Sequence, residues 1–465
     1  MSPLSVYVLP SSPSFIRADR FSLTNSEEEL VPFFDILRCI LHPIQSIPQL
    51  IDQLDTIAVT LNGRSASSYD GLAHFLQSDW GFDRFASETY PHLIKLALEM
   101  PELFLEGSLP VLQAQATNVF SRRQIACLVI HQFLCTLPAP PWMVTGGGIP
   151  DFSIWYPNLE DQPHPLAVHA YLVSLFTYFE RICHEDGFLD REQPISFSMH
   201  TSKTEAGSRV SGNDDARTPF VPCQLQIIPL ASNDPSYLGL LGGASVISCN
   251  KQVGFGRTGT QEEVHVGTTP EACPLVLMTP PLKDAQAVVV RGAESMAAIS
   301  GFGREARLER ILKADPQVDW WNRTMLFMDA LELDSYDDQA TIPDVLPGNI
   351  DRELRKAYTG FSNKSRPYTI IYTGLWGCGS FRGNASVKTF LQWVAASYAG
   401  TPIVIICQPE RRDFIEDFQG LILAVENCNL TVEQVLHSLV SIQPSSDTIK
   451  QPLRLALDNI QPQRT

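Results

Sequence analysis

Apolar residues recur at helical spacing through the first ~185 positions and at strand spacing beyond them, within the boundary error of such readings. In Ser121 to Leu137, "SRRQIACLVIHQFLCTL", Ile125, Leu128, Val129 and Phe133 fall on one face, and Ser121 is placed to act as an N-cap. Leu166 to Ile182, "LAVHAYLVSLFTYFERI", repeats the pattern, and the Pro/Gly-rich "LPAPPWMVTGGGIP" between them predicts a loop. Residues 201–219, "TSKTEAGSRVSGNDDARTP", have almost no apolar content and are expected to form a mobile surface insertion.

Past that point short β-rich runs take over: "QLQII" at 224–228, "ASVIS" at 244–248, "AVVV" at 287–290, "MLFMDAL" at 325–331, "YTIIYTG" at 368–374 and "PIVIIC" at 402–407. Helical patterns, Val387 to Ser397 among them, lie between several of these runs. Strands alternating with helices predict an α/β fold with a mixed or mostly parallel sheet covered on its faces. The stretch from Tyr368 to Cys407 reads as strand, glycine-rich turn, helix and strand, a βαβ crossover. The expected division is therefore a helical region over 1–185 and an α/β domain over 186–465.

Composition narrows the class. The chain has 465 residues, 44% hydrophobic and 18% charged, long enough for one large or two medium domains. No apolar run approaches the ~20 residues of a membrane helix, and "MSPLSVYVLPSSPSF" lacks the basic start and apolar core of a secretory signal. A soluble globular protein is expected. Its ten cysteines include no C-x-x-C pair, which argues against zinc and suits a reducing compartment. A net charge of -17 should repel nucleic acid, so direct DNA or RNA binding is not expected.

Two loops carry candidate chemistry. "GLWGCGSFRG", Gly374 to Gly383, follows a predicted strand and feeds a helix. Its glycines and the N–H groups of a helix start favour a phosphate or diphosphate, although the spacing is neither a P-loop nor a dinucleotide fingerprint. Such turns also serve as plain connections. The second loop, "NKQVGFGRTGTQEE", runs from Asn250 to Glu263 and ends on two adjacent glutamates. Paired glutamates commonly line a solvated face. Behind a glycine loop that packs backbone against a ligand, however, a carboxyl beside a second carboxylate should have a raised pKa and suit general acid work.

In these residues the chain resembles the poly(ADP-ribose) glycohydrolase family. Asn250 matches the asparagine of that family's Asp-Phe-Ala-Asn segment, Gly254-Phe255-Gly256 its glycine triplet, and Gln261-Glu262-Glu263 its acidic end. "TGLWGCGSFRGNA" is similar to the family's diphosphate loop, "RELRKAYTGF" at 352–361 to the helix before it, and "SRRQIACLVIHQFLCTLP" to its helical region. Pro270-Glu271 and "MDAL" at 328–331 fall in matching order. There are departures: Ile247 stands at the aspartate, Phe255 at the middle glycine, and Leu375 at a common asparagine, while the spacer before Gln261 is short.

The resemblance implies a macrodomain-like mixed sheet flanked by helices, with an N-terminal, mainly helical accessory region. It implies hydrolysis of the ribose–ribose bonds of poly(ADP-ribose), with release of ADP-ribose and no cofactor or metal. Glu263 would be the general acid and Glu262 would hold the scissile ribose, with Asn250, Gly254, Gly256 and Gln261 close by. Gly377, Cys378, Gly379, Ser380 and Phe381 would line the diphosphate. Phe302 falls where the family stacks a tyrosine on adenine, with an ordinary core aromatic in "SGFG" as the lesser reading. A monomer in the nucleus or cytoplasm, serving the DNA damage response, completes what the family implies. A macrodomain that reads ADP-ribose without cutting it is the alternative, should the short loop misplace Glu263. A scaffold that recruits partners through its helical half is a third.

Overall fold

The computed structural model describes residues 5–438 apart from 25–29, 66–67, 145–148, 203–219, 230–241, 336–341, 408–411, 432–433 and the single positions 316, 347, 364 and 436. Most of the insertion expected at 201–219 thus lies outside the described residues. The chain forms two compact units that interleave in sequence. One comprises 1–198, 252–281 and 290–321; the other comprises 199–251, 282–289 and 322–465.

The first unit is built on helices. Helix α1 (Ile47–Asn62) is capped by Ser46, which accepts from the Gln49 N–H, and closes on Gly63 at a φ of 77°. Helix α2 (Arg122–Phe133) begins with a capping box in which Ser121 and Gln124 each bond the other's backbone N–H. Every α2 residue from Ile125 to Phe133 is buried, so this helix is enclosed on all sides instead of showing one apolar face. Helix α3 (Pro165–His184) is buried continuously from Ala170 to Phe179. Phe176 meets Phe85 at 5.2 Å and Phe133 at 5.7 Å between ring centroids, which knits α2 and α3 into an aromatic core. Helix α4 (Gln261–Gly267) is one short, largely buried segment of the same unit. Residues Thr117–Phe120 pair antiparallel with the start of the strand Ile195–Thr201.

The second unit holds β1 (Leu225–Pro229), β2 (Ala244–Cys249), the first four residues of β3 (Gln286–Arg291), β4 (Thr324–Asp329), β5 (Ile371–Thr373) and β6 (Ile403–Cys407), in the spatial order β3-β4-β2-β5-β6-β1. The pairs from β4 through to β1 are parallel, with Met325 opposite Ser245, Ile371 opposite both Ala244 and Ile403, and Ile403 opposite Leu225. All six residues of β4 are buried, as a strand covered on both faces requires. Helices α5 (Asn349–Phe361) and α6 (Ala385–Ala399) pack together through Leu354, Ala357, Phe361, Val387, Phe390 and Leu391. Each of the six apolar runs read as strands is a strand. The longest discrepancy is "YTIIYTG", where only Ile371–Thr373 joins the ladder.

Candidate active site

Beyond β2 the chain passes the exposed Asn250, loops through the glycine segment and enters α4 at Gln261. The sequence pattern gave no sign that the glutamates open a helix. Placed in its first turn, they sit where the partial positive charge of a helix start favours carboxylates. The two side chains then diverge. Glu262 is buried and its Oε1 accepts from the Gly254 N–H at 2.7 Å, which ties the start of the loop to its end. Glu263 lies against Gly256, where a Cβ would come within 2.9 Å of its Cγ and 3.0 Å of its Oε1. Only glycine fits there without moving the acid.

Glu263 Oε2 is buried and has no hydrogen-bond partner among the described residues. Burial raises the pKa of this carboxyl above the ordinary glutamate value, while bonds from its own backbone N–H and the Thr258 side chain partly offset the rise. The arrangement therefore separates the neighbours chemically. Glu262 braces the loop with one oxygen, and Glu263 holds an oxygen that no described residue satisfies.

Three residues far away in sequence fix the loop. Trp155 Nε1 donates to the Gly256 carbonyl at 2.7 Å, the Tyr171 hydroxyl donates to the Thr258 carbonyl at 2.7 Å, and the Gly259 N–H donates to His164 Nδ1 at 2.7 Å. Phe255 packs against Phe152 at 5.1 Å and Trp155 at 5.5 Å between centroids. The aromatic at the middle triplet position is thus built into the wall. Further along, the Gly303 N–H donates to the Gly259 carbonyl at 2.9 Å, which joins the loop to the turn bearing Phe302. Phe302 is 52% exposed, flanked by Gly301 and Gly303 at positive φ, so the core-aromatic reading does not hold. Behind α4, Arg122 bonds Glu271 at 2.6 Å and the Gly292 carbonyl at 2.9 Å, and Arg181 and Arg191 both pair with Glu294.

The diphosphate candidate lies in the second unit. The loop leaves β5, and Asn250 leaves β2, the parallel neighbour of β5, so both emerge at the same edge of the sheet. Gly377 adopts a φ of 75°, and a Cβ there would lie 2.5 Å from that of Ala330; a Cβ on Gly383 would meet Lys388 at 2.7 Å. Those two glycines serve the loop's own packing. Gly379 and Ser380 are exposed, and a Cβ on Gly379 meets nothing within 4 Å. Cys378 and Phe381 are half-buried, the latter's carbonyl accepting from the Leu333 N–H at 3.0 Å. Two first-turn N–H groups of α6 are spoken for, since the Asn384 side chain accepts from both Ser386 and Val387. A phosphate would meet loop backbone here, with the helix start already capped by its own side chain.

Under this loop is a charge network that sequence reasoning missed. Lys388 is fully buried, pairs with Glu353, lies 3.5 Å from Asp344 and sits over the Trp376 ring. Asp344 in turn accepts from the Asn384 N–H at 2.9 Å. Arg352 and Lys356, one turn apart on α5, both bind Asp329 at the end of β4. The signal available was "RELRK", whose charges at helical spacing are mostly buried here instead of solvated. Among the described residues no group of three or more His, Cys, Asp or Glu side chains is arranged as metal ligands.

The parallel sheet with its covering helices, and the helical unit, define a macro domain fold joined to a helical domain. Sequence models of the poly(ADP-ribose) glycohydrolase family match both parts: its Macro domain fold over residues 241–413 and its helical domain over 81–198, together more than half of the chain. The chain belongs to the poly(ADP-ribose) glycohydrolase family. It is 26% identical over 154 residues to poly(ADP-ribose) glycohydrolase 1 of Caenorhabditis elegans, covering 31% of this chain and 20% of that protein. With poly(ADP-ribose) glycohydrolase 2 of the same organism it shares 24% identity over 209 residues, 42% of this chain and 43% of the relative. A probable poly(ADP-ribose) glycohydrolase 2 of Arabidopsis thaliana is 21% identical over 416 residues, 76% of this chain and 75% of the relative. The match thus spans less than half the length of the two nematode relatives.

Proposed function

We propose that this chain hydrolyses the ribose–ribose O-glycosidic bonds of poly(ADP-ribose) and releases ADP-ribose. The observation that carries the reading is Glu263, a half-buried glutamate of raised pKa whose buried Oε2 has no partner among the described residues, at the start of α4 behind a loop braced from several sides. A protonated Glu263 gives its proton to the oxygen of the departing ribose as the C–O bond breaks toward an oxocarbenium-like state. Water then attacks the sugar carbon, and its proton returns to the Glu263 carboxylate. Glu262 holds the ribose in line while its bond to Gly254 fixes the loop. Asn250 and the backbone of Gly377 to Phe381 take the ribose and diphosphate, and Gln261 closes the loop beside them. Phe302, exposed on its turn, offers a ring face to adenine.

The test is release of ADP-ribose from labelled polymer by the wild type and by Glu263→Gln, with calorimetric binding of free ADP-ribose alongside. Turnover should fall by at least ~10²–10⁴-fold, the usual loss with a general acid, while binding changes little. Near wild-type cleavage by the variant would move the chemistry to another residue. Binding without cleavage by the wild type would make the protein a reader. A monomer that ignores DNA and RNA and works in the nucleus or cytoplasm, in the response to DNA damage, belongs to the same reading. Sizing chromatography, a DNA shift assay and microscopy of the tagged protein before and after DNA damage test those parts.

A further inference from the structure

The first unit contains a cavity of about 980 Å³ that the catalytic assignment leaves unused. Its lining includes Asn62 and Arg64 at the end of α1, Tyr69, Asp151, and Gly256 with Arg257 of the glutamate loop. The volume is at the upper end of what drug- and cofactor-sized ligands occupy. Its wall is one residue from the acid, since the same Gly256 packs against Glu263.

Its lining places two exposed guanidiniums, Arg64 and Arg257, near a buried tyrosine hydroxyl, while the Ser65 hydroxyl already donates to Asp55 at 3.0 Å. Neither Arg64 nor Arg257 has an ion pair among the described residues. Tyr69 is only 7% exposed, yet its hydroxyl has no hydrogen-bond partner among the described residues. A buried hydroxyl left so carries a desolvation cost that a bound ligand would remove. The one acid, Asp151, is already engaged by the Ser153 N–H at 3.0 Å. Two guanidiniums and an orphan hydroxyl around a nucleotide-sized space suit a phosphate-bearing ligand. In a chain of net charge -17 they form a local exception to the overall field.

We propose that this cavity is a second substrate subsite, which takes the phosphate-bearing unit of the polymer next to the one being released. The proposal rests on the glycohydrolase reading above, in which Glu263 acts on the bond to the released unit. It makes Arg64 and Tyr69 determinants of polymer affinity that take no part in bond cleavage.

Two substrates separate the roles: poly(ADP-ribose), and an ADP-ribose whose scissile ribose carries a small aromatic leaving group in place of the polymer. Arg64→Glu should raise KM for the polymer by about tenfold, as loss of a charge-assisted phosphate contact does, and leave kcat and the small substrate unchanged. Tyr69→Phe should raise polymer KM by about threefold, the scale of one neutral hydrogen bond. A purely structural tyrosine predicts no loss from that change, because its hydroxyl bonds nothing among the described residues. Equal effects on both substrates, or no effect on either, would overturn the subsite while the activity stands. A second ADP-ribose bound per chain, lost in Arg64→Glu with polymer KM unchanged, would overturn it in favour of a product site. Failure of the wild type to cleave either substrate would overturn the glycohydrolase reading itself, and the subsite with it.

Discussion

Glu263 keeps its proton at a pH where an exposed glutamate has lost it, because the charged form would sit in poorly solvated surroundings. Two outcomes follow at this scale. If Glu263 is the acid, as proposed, it must start protonated, so kcat/KM should fall as pH rises through its elevated pKa; Glu263→Gln should lose that limb of the pH–rate profile. The stability sign is the reverse of a salt-bridged carboxylate. A folded-state pKa above the unfolded value means stability is fully present below the unfolded pKa and lost as pH rises through the folded one. Glu263→Gln should therefore melt a few degrees above the wild type at neutral pH, with the difference vanishing in acid, as thermal scans at several pH values will register. Trp155 acts through another group. Trp155→Phe strips the Gly256 carbonyl of its partner and should destabilise the fold by about 1–3 kcal/mol in urea titrations. With the acid's support loosened, kcat should drop while ADP-ribose affinity holds.

At the scale of elements, the glycines of the 374–383 loop divide into two kinds that look alike in "GLWGCGSFRG". Gly377→Val should harm folding, since its positive φ and the close Ala330 leave no room. Gly379→Val meets open space in the free protein, so it should melt normally and yet lose ADP-ribose binding if the diphosphate comes to that backbone. Calorimetry paired with a melting curve tells them apart, and wild-type affinity in Gly379→Val would dismiss the loop as the diphosphate site. What was legible here is instructive. The strands of the second unit could be read because buried parallel strands are continuous apolar runs, and α2 because Ser121 and Gln124 spell its cap. The glutamate pair and glycine loop could be read as a site because their residues are neighbours in sequence. Trp155, His164 and Tyr171 could not, since they meet the loop across some 87 to 101 positions and each sits in a pattern that ordinary core packing would also produce. The short α4 was invisible for a different reason: seven residues with no side-chain cap leave too little periodicity to detect.

At the scale of the whole molecule, charge sets how a polyanion is met. Proteins that hold nucleic acids by a basic surface lose affinity steeply with salt. This chain carries 51 acidic residues against 34 basic ones, so its long-range field would oppose a polyanion and leave attraction to local groups. Affinity for poly(ADP-ribose) should accordingly fall only shallowly as salt is raised, and encounter should quicken as repulsion is screened. Binding isotherms and stopped-flow association at a series of ionic strengths give both slopes. A slope matching many phosphates would mean that a basic surface grips the polymer after all.

The interleaving of the two units has a consequence for how such a chain can be shortened. The segment with both glutamates is sequestered in the unit that also contains Trp155, His164 and Tyr171, while the Gly374–Gly383 loop is not. A transcript spliced to discard the helical half would still encode every residue of the glutamate motif. Its product would nevertheless lack the indole, imidazole and phenol that hold Gly256, Gly259 and Thr258 in place. Such an isoform would keep the signature and lose the support that the proposed catalysis needs.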